Sequence, residues 1–314
     1  MERHRALIDA HVQRWITTLP DDPLYVPMAY LMGLPAKRVR PTLTLLGCEL
    51  FGGRQEDALD EALGIELFHN FTLMHDDIMD ASPIRRGQPT VHVKWDVNTA
   101  ILSGDAMLVK AYQLMGRHPG VLDVFGRYAL QVCEGQQRDM DFERRDGVSL
   151  AEYNAMIRLK TAVLLSCALE VGASVAGANA ADRARLGAFG EHLGLAFQLR
   201  DDLLDAFGDP KETGKQRGGD LRAGKKTWLL IRGLELEAEQ GKSALRGMLD
   251  TPVAQRNVTG MIAALEALGV RNEAEAEVER HNRAALLSLE AVHVPVERKR
   301  PLVGLVASLQ ERAH

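Results

Sequence analysis

Cysteine is scarce: the chain has three in 314 residues, Cys48, Cys133 and Cys167, an odd number with no CxxC pair. That spacing excludes a disulfide framework and offers no zinc-type cluster, and a reducing, cytoplasmic setting fits it best. Long apolar runs are missing as well. No stretch approaches the roughly 18 residues needed to cross a bilayer, so no transmembrane segment is expected. The N-terminal stretch MERHRALIDAHVQRW lacks a signal-peptide core. Positive charge is not in surplus. The formal net charge is −5 and the pI about 6.1, so nucleic acid is not an expected partner and any basic cluster must be local. Alternating β-branched runs, repeats of solenoid period and low-complexity linkers are also lacking.

What remains is helical. Ala, Leu, Glu, Arg and Gln recur with 3.6-residue periodicity. Helices are predicted over 3–18, 40–51, 56–80, 96–116, 121–140, 150–176, 182–207, 225–239, 255–268, 272–290 and 299–312. Pro20, Pro23 and Pro27 interrupt the start, Gly52–Gly53 and Pro119–Gly120 end helices, and a Lys- and Gly-rich loop follows Asp209–Pro210. Apolar residues make up 46% of the chain, enough for a sizeable core. One all-α domain over 1–314 is the economical reading. A split near 208–224 is the alternative, but that stretch reads better as a functional loop.

Two segments carry unusual charge. FHNFTLMHDDIMD runs from Phe68 to Asp80, and LAFQLRDDLLD from Leu195 to Asp205. On a helix Asp76 and Asp80 share a face, as do Asp201 and Asp205, while Asp77 and Asp202 are turned by about 100°. Six carboxylates set among Leu, Ile, Met and Phe repel one another and are costly to bury uncompensated. Arg200 alone cannot balance them. Hard divalent cations can, and Mg2+ binds through one or two carboxylates plus substrate phosphates. A single DDxxD is as easily a solvated acidic face; two in similar apolar helices are far more specific.

Basic counterparts lie nearby in sequence. Lys37, Arg38 and Arg40 precede Pro41 at a helix start, and Arg85–Arg86 follow the first cluster in the short loop ASPIRRGQP. Guanidinium forks suit phosphate oxygens, and lysine serves as a point charge. Lys160–Thr161 interrupts an apolar helix, so Lys160 either snorkels or is buried with an anionic partner. Lys215, Lys225 and Lys226 sit in the loop after the second cluster, where they either close over phosphates or form a solvated face.

Taken together, these segments resemble the trans-isoprenyl diphosphate synthases, or polyprenyl synthetases. KRVRP, FHNFTLMHDDIMDASPIRRG, GQQRD, LKT, FQLRDDLLDAFGD and GKQRGGDLRAGKKT appear in family order from about Lys37 to Leu230. The resemblance implies an all-α fold of antiparallel helices around a central cavity, and a homodimer. It implies that Asp76, Asp77, Asp80, Asp201, Asp202 and Asp205 hold an allylic diphosphate through Mg2+, three ions with substrate bound. Asp76, Asp80 and Asp201 are the expected metal ligands. Arg85, Lys160, Lys215 and Lys225 match contacts to that diphosphate. Lys37, Arg40, His69 and Arg86 match the isopentenyl diphosphate pocket. Thr161 and Gln198 match polar groups near the reacting carbons.

The implied reaction condenses isopentenyl diphosphate with dimethylallyl, geranyl or farnesyl diphosphate. Phe71 and Thr72, five and four residues before Asp76, match positions that limit product length. One bulky residue there and no insertion in the motif favour a C20 over a C15 product. The chain departs from the family pattern at Pro35–Ala36, where Gly-Gly is common, and in its weakly basic end QERAH. A class I terpene cyclase is the competing reading, but it needs no isopentenyl diphosphate pocket and seldom carries a second DDxxD.

Overall fold

The computed structural model describes residues 2–209 and 217–311. The chain divides into two compact units. The first comprises Met1–Arg127, Cys167–Ala184 and Val294–Arg298, and the second Tyr128–Ser166, Arg185–His293 and Lys299–His314.

The first unit is built on α1 (Glu2–Ile16), α2 (Val26–Gly33), α3 (Val39–Leu50), α4 (Leu59–Met79), α5 (Val91–Lys94) and α6 (Val97–Met115). α4 lies chiefly against α6 and α3. Its inner face buries Ile65, Leu67, Phe68 and Met74. The Phe68 ring meets Phe125 edge to face at 5.2 Å, a favourable aromatic geometry. Two local departures from the sequence reading occur here. The prolines at 20, 23 and 27 were expected to exclude helix, yet α2 forms with Pro27 in its first turn. A proline there forfeits no intrahelical bond, because first-turn N–H groups have no partner anyway. The segment after the first aspartate cluster was expected to be an open loop. It forms a hairpin of β1 (Ile84–Arg85) and β2 (Gln88–Pro89), with Ile84 opposite Pro89. Arg86 and Gly87 make the turn, both with positive φ (53° and 74°), as a tight two-residue hairpin requires.

The second unit holds most of α7 (Val121–Glu143), α8 (Leu150–Ile157), the start of α9 (Val163–Val175) and most of α10 (Ala180–Phe207). α11 (Gly219–Ala223), α12 (Trp228–Glu239), α13 (Ala244–Leu249), α14 (Val258–Ala267), α15 (Val270–Glu290) and most of α16 (Val296–Glu311) complete it. Its core gathers Tyr153, Ile157, Ala162, Leu195, Leu199, Leu203, Trp228, Met261 and Leu265. The helix predicted over 150–176 is broken where LKT interrupts it: Arg158–Ala162 form a π turn between α8 and α9. Such one-turn bulges often mark functional sites. Close backbone approach on two sides accommodates this one. A Cβ on Gly135 of α7 would strike the Lys160 backbone nitrogen, and one on Gly194 of α10 would lie 2.5 Å from the Ala162 Cα.

Candidate active site

The first cluster sits at the C-terminal end of α4. Asp80 caps that helix, its N–H donating to the Asp76 carbonyl at 2.9 Å, so the i, i+4 relation survives the helix end. The sequence suggested six carboxylates in apolar surroundings. The structure buries only two, Asp77 and Asp202, the second member of each cluster. Asp76 and Asp205 are half-buried, and Asp80 and Asp201 exposed. The reason is geometric: one step around the helix turns the second aspartate inward while the first and last stay on the outer face.

Asp77 is only 3% exposed and takes both its hydrogen bonds from Arg85, Nε to Oδ2 and Nη2 to Oδ1, each 2.7 Å. This fork-to-fork pair is the strong form of a carboxylate interaction. It gives Arg85 a task the sequence did not disclose: it holds the first cluster to the hairpin. His75, next to Asp76, anchors the same helix end. Its Nε2 lies 3.2 Å from the Ile101 carbonyl oxygen, and its ring nests against Gly104, where a side chain would collide with it.

The basic residues of this unit divide into two groups. Arg38, in a left-handed conformation (φ 49°), turns inward to Glu66 (2.7 Å), Asp9 (2.9 Å) and the Met32 carbonyl (2.7 Å), so it braces the fold. Lys37 beside it is exposed. Arg40 Nη1 lies 3.2 Å from His69 Nε2. Burial lowers the Arg40 guanidinium to about 10, with Glu66 opposing the shift. Burial, then Arg40, Arg86, Arg85 and Arg38, hold the His69 imidazole well below its ordinary range, so it is neutral. Arg40 Nε and Arg86 Nη1 are buried and have no hydrogen-bond partner among the described residues. Buried unpaired donors on two guanidinium groups are rare, and an anionic ligand would satisfy them.

Phe71 is 9% exposed, its ring 5.6 Å from Phe68 and 4.8 Å from His75. Thr72 spends its hydroxyl on the His69 carbonyl of its own helix, at 2.8 Å.

In the second unit Asp202 is 4% exposed, and among the described residues no cation pairs with it. The Tyr153 hydroxyl donates to Oδ2 at 2.6 Å, Gln198 Nε2 to Oδ1 at 3.1 Å, and the Trp228 N–H to Oδ2 at 3.4 Å. Burial pushes its carboxyl up to about 7, against the pull of the Tyr153 and Gln198 hydrogen bonds. Tyr153 was not found from sequence, although a buried tyrosine generally needs a partner for its hydroxyl. Thr161, in the π turn, donates to Gln198 Oε1 at 3.1 Å. Lys160 of the same turn pairs with Asp139 of α7, which settles its partner as anionic. Asp205 Oδ2 accepts the Asp220 N–H at 3.1 Å. Lys225 is exposed, whereas Lys226 turns to the Phe142 carbonyl at 2.6 Å. Lys215 lies outside the described residues.

Lys37, Arg40, His69, Phe71, Thr72, Asp76, Asp77, Asp80, Arg85 and Arg86 thus belong to the first unit. Lys160, Thr161, Gln198, Asp201, Asp202, Asp205 and Lys225 belong to the second. The donors of both clusters are hard carboxylate oxygens, as Mg2+ prefers. Among the described residues no three His, Cys, Asp or Glu side chains already converge as a metal cage. Mg2+ needs no such cage, because it keeps water and takes substrate phosphate oxygens.

Residues 21–265 match the family model described as polyprenyl synthetase. The chain is 42% identical over 242 residues to the geranylgeranyl diphosphate synthase of Sulfolobus acidocaldarius, covering 74% of this chain and 73% of that one. It superposes on a crystal structure of a geranylgeranyl pyrophosphate synthase with a TM-score of 0.93 at 40% identity, over 100% of this chain and 99% of the other. The geranylgeranyl pyrophosphate synthase from Corynebacterium glutamicum, complexed with isoprenyl diphosphate and magnesium, gives a TM-score of 0.86 at 28% identity, over 98% of each chain. A fold of helices with one small hairpin, carrying two aspartate clusters and basic groups with unsatisfied donors, belongs to the isoprenoid synthases. This chain belongs to the polyprenyl synthetase family. It is a trans-prenyltransferase of the isoprenyl diphosphate synthase type, and the competing cyclase reading falls away.

Proposed function

We propose that this enzyme condenses isopentenyl diphosphate with dimethylallyl, geranyl or farnesyl diphosphate and releases an all-trans C20 product. The observation that carries this reading is the division of labour repeated in both clusters. The second aspartate is buried and committed to protein donors, and the first and last stay on the outer face. Asp76, Asp80 and Asp201 would hold Mg2+, three ions with substrate bound. Metal held there would neutralise the diphosphate and so make it a better leaving group. Arg85, Lys160, Lys215 and Lys225 add charge on the allylic diphosphate. Arg40, Arg86, His69 and Lys37 receive the isopentenyl diphosphate, whose oxygens satisfy the orphaned Arg40 Nε and Arg86 Nη1.

The allylic C1–O bond breaks and its electron pair leaves with diphosphate. The double bond of isopentenyl diphosphate attacks the allylic C1, a new C–C bond forms, and a proton leaves C2 to the released diphosphate. Thr161 and Gln198 place oxygens beside the cation, and the apolar flanks of both clusters keep water out. The proposed reaction uses residues 1–314 as one synthase domain. The C20 length rests on Phe71, wedged between Phe68 and His75, and on the names of the relatives.

A homodimer is supported by the apolar side chains that α6 exposes, Ile101, Leu102 and Val109, with Leu102 59% exposed. Sedimentation at twice the 34.6 kDa chain mass is the check. A cytoplasmic location is supported by three free cysteines, and no helix among the described residues is long and apolar enough to cross a membrane. Incubation with isopentenyl diphosphate, each allylic starter and Mg2+ should yield the C20 diphosphate, and chelation should abolish it. Phe71→Ala should lengthen the products; an unchanged distribution would remove Phe71 as the floor.

A further inference from the structure

Gln198 ends in an amide whose two faces have opposite polarity. Which face meets Thr161 decides whether a negative or a positive dipole end is offered there. The amide can rotate by half a turn at little steric cost, so something must hold it. Five groups of the second unit form one directed chain. The Thr161 hydroxyl donates to Gln198 Oε1 at 3.1 Å, and Gln198 Nε2 donates to Asp202 Oδ1 at 3.1 Å. On the far side, Tyr153 donates to Asp202 Oδ2 at 2.6 Å and the Trp228 N–H to the same oxygen at 3.4 Å.

The direction of this chain is fixed at Asp202. Tyr153 and Trp228 both donate to its carboxyl, so its oxygens act as acceptors, select the NH2 face of Gln198 and turn the amide oxygen toward Thr161. The carboxylate's own orientation is fixed in turn by Tyr153 and by the first turn of α12, whose N–H groups favour an anion. Tyr153 supplies the shortest of the three hydrogen bonds and comes from a different helix, α8. It is 3% exposed and packed in the core, so its hydroxyl approaches from a set direction.

We propose that Tyr153 is a positioning residue: through Asp202 it locks the Gln198 amide with its oxygen facing Thr161, the orientation that stabilises positive charge on the reacting allyl group. Asp202 then serves as an orienting group, while Asp201 beside it faces outward to the metal. The proposal rests on the condensation reaction proposed above.

Tyr153→Phe removes one oxygen and leaves the ring in place. A misdirected amide affects the transition state and not the bound substrates. kcat should therefore fall about ten- to a hundredfold, with KM for both diphosphates and the Mg2+ requirement within about twofold of the parent. Gln198→Leu removes the amide altogether. In that background Tyr153→Phe should cost less than about a further twofold, because the group it positions is gone. Thermal unfolding reports whether each variant is folded. If the phenylalanine variant does not fold, Asp202→Asn runs the same cycle, since an amide at 202 no longer selects the NH2 face of Gln198. Independent, multiplying losses in the cycle would overturn the proposal, as would a kcat for Tyr153→Phe within about twofold of the parent. Failure of the unmodified enzyme to condense the two diphosphates would overturn the reaction itself, so the two failures are distinguishable.

Discussion

The two aspartate clusters are alike in sequence and unlike in support. Asp77 and Asp202 occupy the same place in DDxxD, and both are almost fully buried. Asp77 meets a full positive charge, Arg85, through two parallel hydrogen bonds delivered by the hairpin. Among the described residues Asp202 meets neutral donors, a phenol, an amide and a backbone N–H. The first arrangement cancels charge and ties α4 to a surface element. The second surrounds the carboxyl with hydrogen-bond donors, leaves its pKa raised to about 7 by burial, and orients those neighbours. One motif is thus anchored by a cation in one unit and is the centre of a polar network in the other. In both, the inward aspartate supports the outward ones.

The largest expected effect tests whether the outward aspartates are equivalent despite that difference. Asp76→Ala and Asp201→Ala should each lower kcat by about 10²-fold or more, with helical content by circular dichroism unchanged. If both act in one step of the proposed reaction, the double variant is expected to be little worse than the poorer single. Near-normal turnover in either would dissolve the equivalence.

The inward aspartates should differ in stability. Arg85→Leu strands a buried carboxylate and should cost about 3 kcal/mol, because breaking one partner of such a pair leaves the charge unpaired. Tyr153→Phe removes one neutral donor of three and should cost about 1 kcal/mol. Urea unfolding of the two variants measures both numbers, and equal losses would mean that the cation does not distinguish the clusters.

A smaller effect concerns the arginines around the first cluster. They and burial depress the His69 pKa, so the folded protein leaves His69 neutral where the unfolded chain, with a pKa of about 6.5, binds a proton. Below about pH 6.5 the unfolded state therefore takes up more protons, and stability falls as pH falls. His69→Gln should flatten the slope of unfolding free energy between pH 7 and 5.5. A slope unchanged by the substitution would show that His69 does not sense those arginines.

Most helices were legible because their apolar periodicity is strong, and their ends were set by Gly, Pro and capping residues. The π turn at LKT was only half legible: Lys160 marked a polar interruption, but one continuous helix was expected over 150–176, because backbone geometry inside a helix leaves no periodic signal. α2 was missed because prolines near a helix start permit helix while reading as breakers. The hairpin was missed because two-residue strands leave almost no periodicity, although Arg-Gly at its turn was the available signal. The residues of the candidate site were legible as charges in unlikely places. Their division into inward and outward aspartates was not, and neither were Tyr153, Asp139 or the Glu66 partner of Arg38.

By itself the sequence determined the chemistry: six aspartates, the arginines and lysines that answer them, and an apolar helical scaffold in which they must be placed. It also set the angular offset that separates the second aspartate of each motif from the first and last, since that follows from helix geometry alone. Only the tertiary structure decided what meets each inward carboxylate. Arg85 is eight residues from Asp77, but Tyr153 is forty-nine from Asp202. Partners that distant are chosen by packing, which no local pattern encodes.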